Sequence, residues 1–283
     1  MRCINIYGLE TENETPVCSW VKPVGYYIDT LKKEVDLDTV RIPFSYDLVS
    51  CGSMAKLDTL VNECTTRGMN VILDFHRVRN SHQSPAPDAE IPLDLFIEAW
   101  RNVLLRYAGN PKVVGVGVFN EFQSDDVARL SRLHTTIVNQ LEIEFPGRFH
   151  YYLGGTSWGA SIAGLDTRNL TTGNWSYEIH TYGFSNMGEQ EWLQKSGVLS
   201  KKNIFVGEWG FTKQQYEYGR RSADLFRKSN ITDVCFWTIA HSWDTGGLWE
   251  DDCVTMDTTK LGIFKSVFTK PRPALQCLRG SVR

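Results

Sequence analysis

Two rhythms of apolar and polar positions alternate along this chain. Short runs rich in Val, Ile, Phe and Tyr, bounded by Gly, Pro or polar clusters, read as buried strands. They are Cys3–Tyr7, Thr39–Ile42, Asn70–Phe75, Val113–Phe119, His150–Leu153, Tyr177–His180, Asn203–Gly207 and Asp233–Thr238. Between them lie segments with apolar residues at helical spacing: Tyr26–Lys33, Met54–Arg67, Leu93–Tyr107, Asp125–Glu144 and Lys213–Ser229. The longest of these places Val127, Leu130, Leu133, Ile137, Val138 and Leu141 on one face behind a Ser124/Asp125 cap. Ser157–Gly164 and Gly188–Ser196 leave room only for short helices. Eight β-α units in strict alternation predict an α/β protein built as a single (β/α)8 barrel, with residues 1–283 forming one catalytic domain. No Gly-x-Gly-x-x-Gly follows the first strand, so the pattern lends no support to a dinucleotide-binding sheet.

In such a barrel the chemistry sits at the carboxyl ends of the strands. Strand two delivers Arg41 there, strand three Asp74 and His76, and strand four Asn120 and Glu121. Strand six delivers His180 and Tyr182, strand seven Glu208, and strand eight Trp237. Any one of these reads equally well as a buried ion pair, a satisfied core histidine or a barrel plug. Together, and above all as two glutamates on strands four and seven, they point to a paired-carboxylate hydrolase. Arg41, His180 and Tyr182 are suited to keep Glu208 ionised, as a nucleophile requires. Glu121, flanked by Phe119 and Phe122, is suited to a raised pKa and the acid/base role. Asn120 has the chemistry to hold a substrate 2-hydroxyl, and Trp237 to form a floor under a sugar ring.

Composition narrows the field. Hydrophobic residues make up 42% and charged residues 22% of the chain, as in ordinary globular proteins, and a net charge of −3 makes nucleic acid an unexpected partner. No apolar run reaches the length of a membrane span. No Cys-x-x-Cys or Cys/His cluster is present, so no metal and no cofactor is expected. A metal-dependent barrel hydrolase using Asp74, His76, His180 and a glutamate is a competing reading, but the first strand lacks a His-x-His pair. A non-catalytic carbohydrate-binding barrel would have no use for both glutamates. The nine tryptophans suit the apolar faces of sugars as well as a core, and Trp20, Trp158, Trp175, Trp209, Trp243 and Trp249 fall in or near strand-end loops. Of these, Trp158 and Trp243 are the added substrate-binding candidates, with Trp249 beside Trp243 extending a stacking track.

Taken as a set, Arg41, His76, Asn120-Glu121, His180-x-Tyr182, Glu208 and Trp237 resemble the residue pattern of family 5 glycoside hydrolases, the cellulase-type retaining family, over nearly the whole chain. The segment Trp237–Gly247, ending Asp-Thr-Gly-Gly, resembles the strand-eight loop of endo-β-1,4-glucanases in that family. The resemblance implies Glu121 as acid/base, Glu208 as nucleophile and a β-linked polysaccharide or oligosaccharide as substrate; mannan, xylan, xyloglucan and mixed-linkage glucan remain alternatives to β-1,4-glucan. The loops Gly8–Pro23, Arg77–Pro92 and Ala240–Lys260 are the longest at the strand ends, and none resembles an inserted subdomain that would wall off one end, so an endo-acting cleft is expected. A monomer is expected. No signal-peptide pattern opens the chain, but four Asn-x-Ser/Thr triplets, at Asn13, Asn169, Asn174 and Asn230, favour a secreted protein. Among seven cysteines, Cys18 and Cys51 fall in neighbouring loops where a disulfide is possible, whereas Cys3 and Cys235, on buried neighbouring strands, read as plain thiols.

Overall fold

A computed structural model describes residues 1–51, 54–182, 188–240 and 245–269. Eight parallel strands close on themselves in chain order: β1 (Arg2–Asn5), β2 (Thr39–Ser45), β3 (Asn70–Arg77), β4 (Val113–Gly117), β5 (His150–Gly154), β6 (Trp175–Tyr182), β7 (Ile204–Gly210) and β8 (Asp233–Phe236). Pairing of β1 with β8, Cys3 opposite Cys235, completes the barrel. The helices α1 (Val24–Val35), α3 (Met54–Thr65), α4 (Leu93–Tyr107), α5 (Val127–Glu144), α6 (Glu189–Ser196), α7 (Tyr216–Lys228) and α8 (Thr258–Val267) run between strands or follow the last, and a short α2 (Tyr46–Ser50) sits directly after β2. Every predicted strand is found. Two elements went unpredicted, α2 and α8. The β5–β6 connection, expected to hold a short helix, is instead a run of turns pinned by a bridge between Thr156 and Ser161.

Strand parity separates two layers. Residues such as Val71, Leu73 and Phe75 of β3 point outward and pack under the helices in the main apolar core. Their alternates, Ile72, Asp74 and His76, point into the barrel. At the amino end of the barrel the interior is plugged by Cys3, Ile72, Tyr152, Phe205 and Cys235. Towards the carboxyl end the plug gives way to buried polar groups: Asn5, Arg41, Asp74, Glu178 and Glu208. The glycines of the β4 run now have a reason. A Cβ at Gly117 would come within 2.7 Å of Asp74 Oδ1, so the missing side chain makes room for a neighbouring strand's carboxyl group.

The cysteine expectations need correction. Cys3 and Cys235 are joined as a disulfide inside the barrel, and Cys18 pairs with Cys253, not with Cys51. The reason lies in the loop after β8, which folds back over the β1 rim: the Tyr27 hydroxyl donates to the carbonyl of Cys253 at 2.9 Å and reaches that of Cys18 at 3.4 Å. Cys51, just past α2, is an exposed thiol, and Cys64 a buried one.

Candidate active site

The polar ring at the carboxyl end is built around Arg41, whose side chain is wholly buried. Its Nη1 donates to Glu208 Oε1 at 2.9 Å and Asn5 Oδ1 at 3.0 Å. Its Nη2 donates to Asn120 Oδ1 at 3.1 Å and lies 3.0 Å from both Asp74 Oδ1 and Glu178 Oε1. A buried guanidinium is tolerable only with such saturation of its charge. The bond to Arg41 also fixes the Asn120 amide, whose Nδ2 then faces His76 Nε2 at 3.2 Å. That makes Nε2 an acceptor and leaves Nδ1–H of a neutral His76 to donate to Asp74 Oδ2 at 2.6 Å. Burial holds His76 well below its ordinary pKa, consistent with the neutral ring.

The two glutamates reach the ring by irregular backbone. β4 stops at Gly117, but single bonds from Val118 to Tyr152 and from Asn120 to Phe75 carry the chain onward. Glu121 then turns inward with φ at 47°, a left-handed conformation that costs a non-glycine residue of order 1 kcal/mol and is a mark of functional sites. On β7 the register slips at Gly207: Ile179 of β6 opposes Val206, while His180 opposes Glu208. This bulge inserts one residue and so turns Glu208, in place of residue 207, towards His180.

Electrostatics separates the two carboxyl groups. Burial works against the Glu208 charge, but His180 and Arg41 outweigh it and hold the group below the usual carboxylate range. Tyr182 adds a short hydrogen bond from its hydroxyl to Glu208 Oε2, and its own pKa, driven well up by burial and the two glutamates, keeps it a donor. Glu121 goes the other way. Burial pushes it above the ordinary value; the hydrogen bond from His180 Nδ1, at 3.0 Å, opposes this, and the Glu208 charge adds to it. Burial also disfavours a charged His180, yet Glu208, Glu121 and Glu178 together raise it to about 10.

One donor atom each from Glu121, His180 and Glu208 lie within 4.8 Å of one another, the one grouping among the described residues compact enough for a metal ion. An imidazole must be deprotonated at the ligating nitrogen to bind a metal, and His180 Nδ1 and Nε2 both face carboxylates. The trio is therefore better suited to moving a proton than to holding a cation.

Trp237 lies nearly flat against Tyr7 and His76, with interplanar angles of 23° and 13°, and is 8% exposed, a platform at one side of the ring. Trp158, in the loop after β5, is 54% exposed and borders a cleft of about 400 Å³ beside Glu121 with Ser157, Tyr182, Trp192 and Lys195. The structure thus brings together Arg41, His76, Asn120, Glu121, His180, Tyr182, Glu208 and Trp237, with Trp158 at the edge. Trp243 lies outside the described residues. Trp249 is not where the sequence placed it: it is buried edge-on against Tyr27 rather than extending a track. Trp209, at the end of β7, packs outward against Phe211, Phe226 and Phe236. Sequence reasoning passed over Asn5, Tyr7 and Glu178 in this ring. For Glu178 a signal existed, since it lies two residues before His180 and shares its strand face.

A family model described as Cellulase (glycosyl hydrolase family 5) matches residues 3–242. An endoglucanase from Paenibacillus polymyxa is 26% identical over 322 aligned positions, covering 91% of this chain and 80% of that protein. Among solved structures, an endocellulase from Pyrococcus horikoshii in complex with cellotetraose superposes with a TM-score of 0.82 at 17% identity, covering 95% of this chain and 92% of that one. The catalytic domain of the major endoglucanase of Xanthomonas campestris gives a TM-score of 0.80 at 19% identity over 94% of both chains.

Proposed function

The chain belongs to glycosyl hydrolase family 5, and on that premise we propose that it is a retaining endo-β-1,4-glucanase in which Glu208 is the nucleophile and Glu121 the acid/base. The observation that carries this reading is the closeness of the two carboxyl groups, with oxygens inside 4.8 Å of each other. Retaining glycosidases need roughly 5–5.5 Å between carboxyl groups, whereas inverting ones need roughly 6.5–9.5 Å to seat a water. In the first step Glu208 attacks the anomeric carbon while Glu121 gives its proton to the departing glycosidic oxygen. A glycosyl ester on Glu208 results, and the shortened chain leaves with the proton. In the second step Glu121, now a carboxylate, takes a proton from water, whose oxygen displaces Glu208 and restores the original anomeric configuration.

The other residues serve these two steps. Arg41, Tyr182 and His180 hold Glu208 ionised and aimed. Asn120 has one Nδ2 hydrogen committed to His76, and the second is available for a sugar 2-hydroxyl. Trp237 supports the sugar bound before the scissile bond, and the cleft with Trp158, beside the acid, takes the leaving portion. The proposal extends to a single catalytic unit over residues 1–283 that works as a monomer on soluble β-glucan. Export to an oxidising compartment is part of the same reading: two disulfides fit it, and all four Asn of the Asn-x-Ser/Thr triplets are exposed. Among the described residues, no helix is long and apolar enough to cross a membrane.

The test pairs two assays on a soluble cellulose derivative and on cellohexaose. Viscosity should fall well before much reducing sugar appears, and proton NMR should show the β-anomer formed first. A profile of only mono- or disaccharide at the earliest times would exclude endo action, and an initial α-anomer would exclude retention. Higher turnover on mannan, xylan, xyloglucan or mixed-linkage glucan would move the substrate while leaving the chemistry in place.

A further inference from the structure

Double displacement employs two glutamates and leaves a third carboxyl group in the ring without a task. Glu178 is 2% exposed and points inward from β6 on the same face as His180. Its Oε1 lies 3.0 Å from Arg41 Nη2 and 3.3 Å from His180 Nε2. Its seat is specific: a Cβ at position 207 would come within 1.9 Å of Glu178 Oε1, so the glycine that forms the β7 bulge also leaves space for this carboxyl group. On its other side the His180 ring turns Nδ1 to Glu121 Oε1 at 3.0 Å and Glu208 Oε2 at 3.6 Å. Both ring nitrogens therefore face carboxyl oxygens. A neutral imidazole has a proton on one nitrogen only and would aim a lone pair at one of these oxygens.

We propose that Glu178 is a positioning residue that keeps a proton on both nitrogens of His180, so that Nδ1–H stays committed to the Glu121 and Glu208 carboxyl groups. The consequence lies in the first chemical step. Glu121 must deliver its proton to the leaving oxygen, and a free Nδ1 lone pair 3.0 Å away would compete for it. With Nδ1 already protonated, that sink is closed, and the same N–H stabilises Glu121 once it becomes a carboxylate. The surroundings of His180 agree. Arg41 from β2 contributes a positive charge, and Asp74 and His76 come from β3. Glu121 follows β4, Glu208 lies on β7, and Tyr182 is on the histidine's own strand. The loop after β5 contributes backbone, Gly159 O accepting from His180 N at 2.9 Å. Burial alone would strip the ring of its second proton; Glu178 is one of three carboxyl groups that prevent this, and Arg41 and His180 in turn hold Glu178 ionised against the burial of its own charge.

The catalytic consequence rests on the two-glutamate reading, whereas the protonation of His180 does not, and the experiment keeps them apart. Glu178→Gln retains the shape and removes the charge; Glu178→Asp retains the charge. In the wild-type protein, nitrogen NMR of labelled histidine should show His180, assigned by its loss in His180→Asn, doubly protonated at neutral pH. Losing the charge of a partner this close should lower the His180 pKa by about one to three units in Glu178→Gln. The wild-type to Glu178→Gln ratio of kcat/KM should accordingly grow between pH 5 and 9.5, by about threefold for a one-unit shift and about 200-fold for a three-unit shift, with Glu178→Asp recovering most of the loss. A singly protonated His180 in the wild-type protein near pH 7.5 would overturn the proposal even if neither variant folds. An unshifted His180 in Glu178→Gln, or a loss equal at all pH values, would reduce Glu178 to a space-filling role. An NMR shift with pH profiles that stay parallel would uphold the protonation and refute the link to catalysis.

Discussion

The two disulfides allow a stability prediction in which geometry sets the magnitude. Cys3–Cys235 and Cys18–Cys253 span 232 and 235 residues, and either one alone would close nearly the whole chain, worth about 5.5 kcal/mol by chain entropy. They are not independent. With one intact, the other closes only the circuit from Cys3 to Cys18 and from Cys235 to Cys253, a loop of about 34 residues worth about 3.8 kcal/mol. Removing the rim pair (Cys18→Ser with Cys253→Ser) should therefore cost about 3.8 kcal/mol, and removing both pairs about 9 kcal/mol, about 1.7 kcal/mol beyond the sum of the single losses. The small cavity left by Cys3→Ala with Cys235→Ala adds to that pair's own value but cancels from the cycle. Equilibrium urea unfolding of the four proteins, followed by tryptophan fluorescence, measures the coupling. Losses that add to within about 0.5 kcal/mol would refute the shared-circuit argument. In the denatured, unreduced wild-type protein Cys51 and Cys64 should react as thiols while Cys3, Cys18, Cys235 and Cys253 do not, and a count of seven thiols would remove the argument altogether.

Glu208→Gln should lower kcat by more than about 10⁴-fold on every substrate, as expected when a covalent nucleophile is lost. Glu121→Gln should cost about 10²- to 10⁴-fold on cellohexaose but far less on a dinitrophenyl cellobioside, whose leaving group needs no proton; equal losses on both would place the acid elsewhere. Glu10, buried within the loop after β1, is raised to about 7 by burial, which the Gly8 N–H hydrogen bond only partly opposes. The folded carboxyl group thus keeps a proton that the unfolded one releases, so stability falls as pH rises from about 4.5 through 7. Glu10→Gln should remove up to about 3 kcal/mol of that fall, and unchanged urea midpoints at pH 8 would refute this. Trp158→Ala, which removes an exposed indole beside the cleft, should weaken kcat/KM on long cello-oligosaccharides by about 1 kcal/mol, roughly fivefold, while cellobiosides with a small leaving group are spared.

Much of this protein was written into local pattern. Strand and helix periodicity, read segment by segment, found all eight strands because buried parallel strands and amphipathic helices carry their signals within ten or fifteen residues. Counting residues to the ends of those strands then located Arg41, His76, Asn120, Glu121, His180, Tyr182, Glu208 and Trp237, since a closed barrel gathers its strand ends at one rim. The electrostatic contrast between the two glutamates was legible for the same reason: apolar residues flank Glu121, and donors on other strands surround Glu208.

What remained belongs to the tertiary structure. Which face of β7 carries Glu208 depends on a one-residue bulge at Gly207, and parity counted along the sequence cannot foresee a register slip set by the neighbouring strand. Glu178 showed the right parity but became meaningful only when Arg41 and His180, from two strands, met at its carboxyl group. Trp249 was offered as part of a stacking track because indoles suit sugars and cores equally; packing assigned it to the core. The disulfides were misassigned because pairing across more than 230 residues is decided by barrel closure and by how the last loop folds over the first, and neither leaves a local trace.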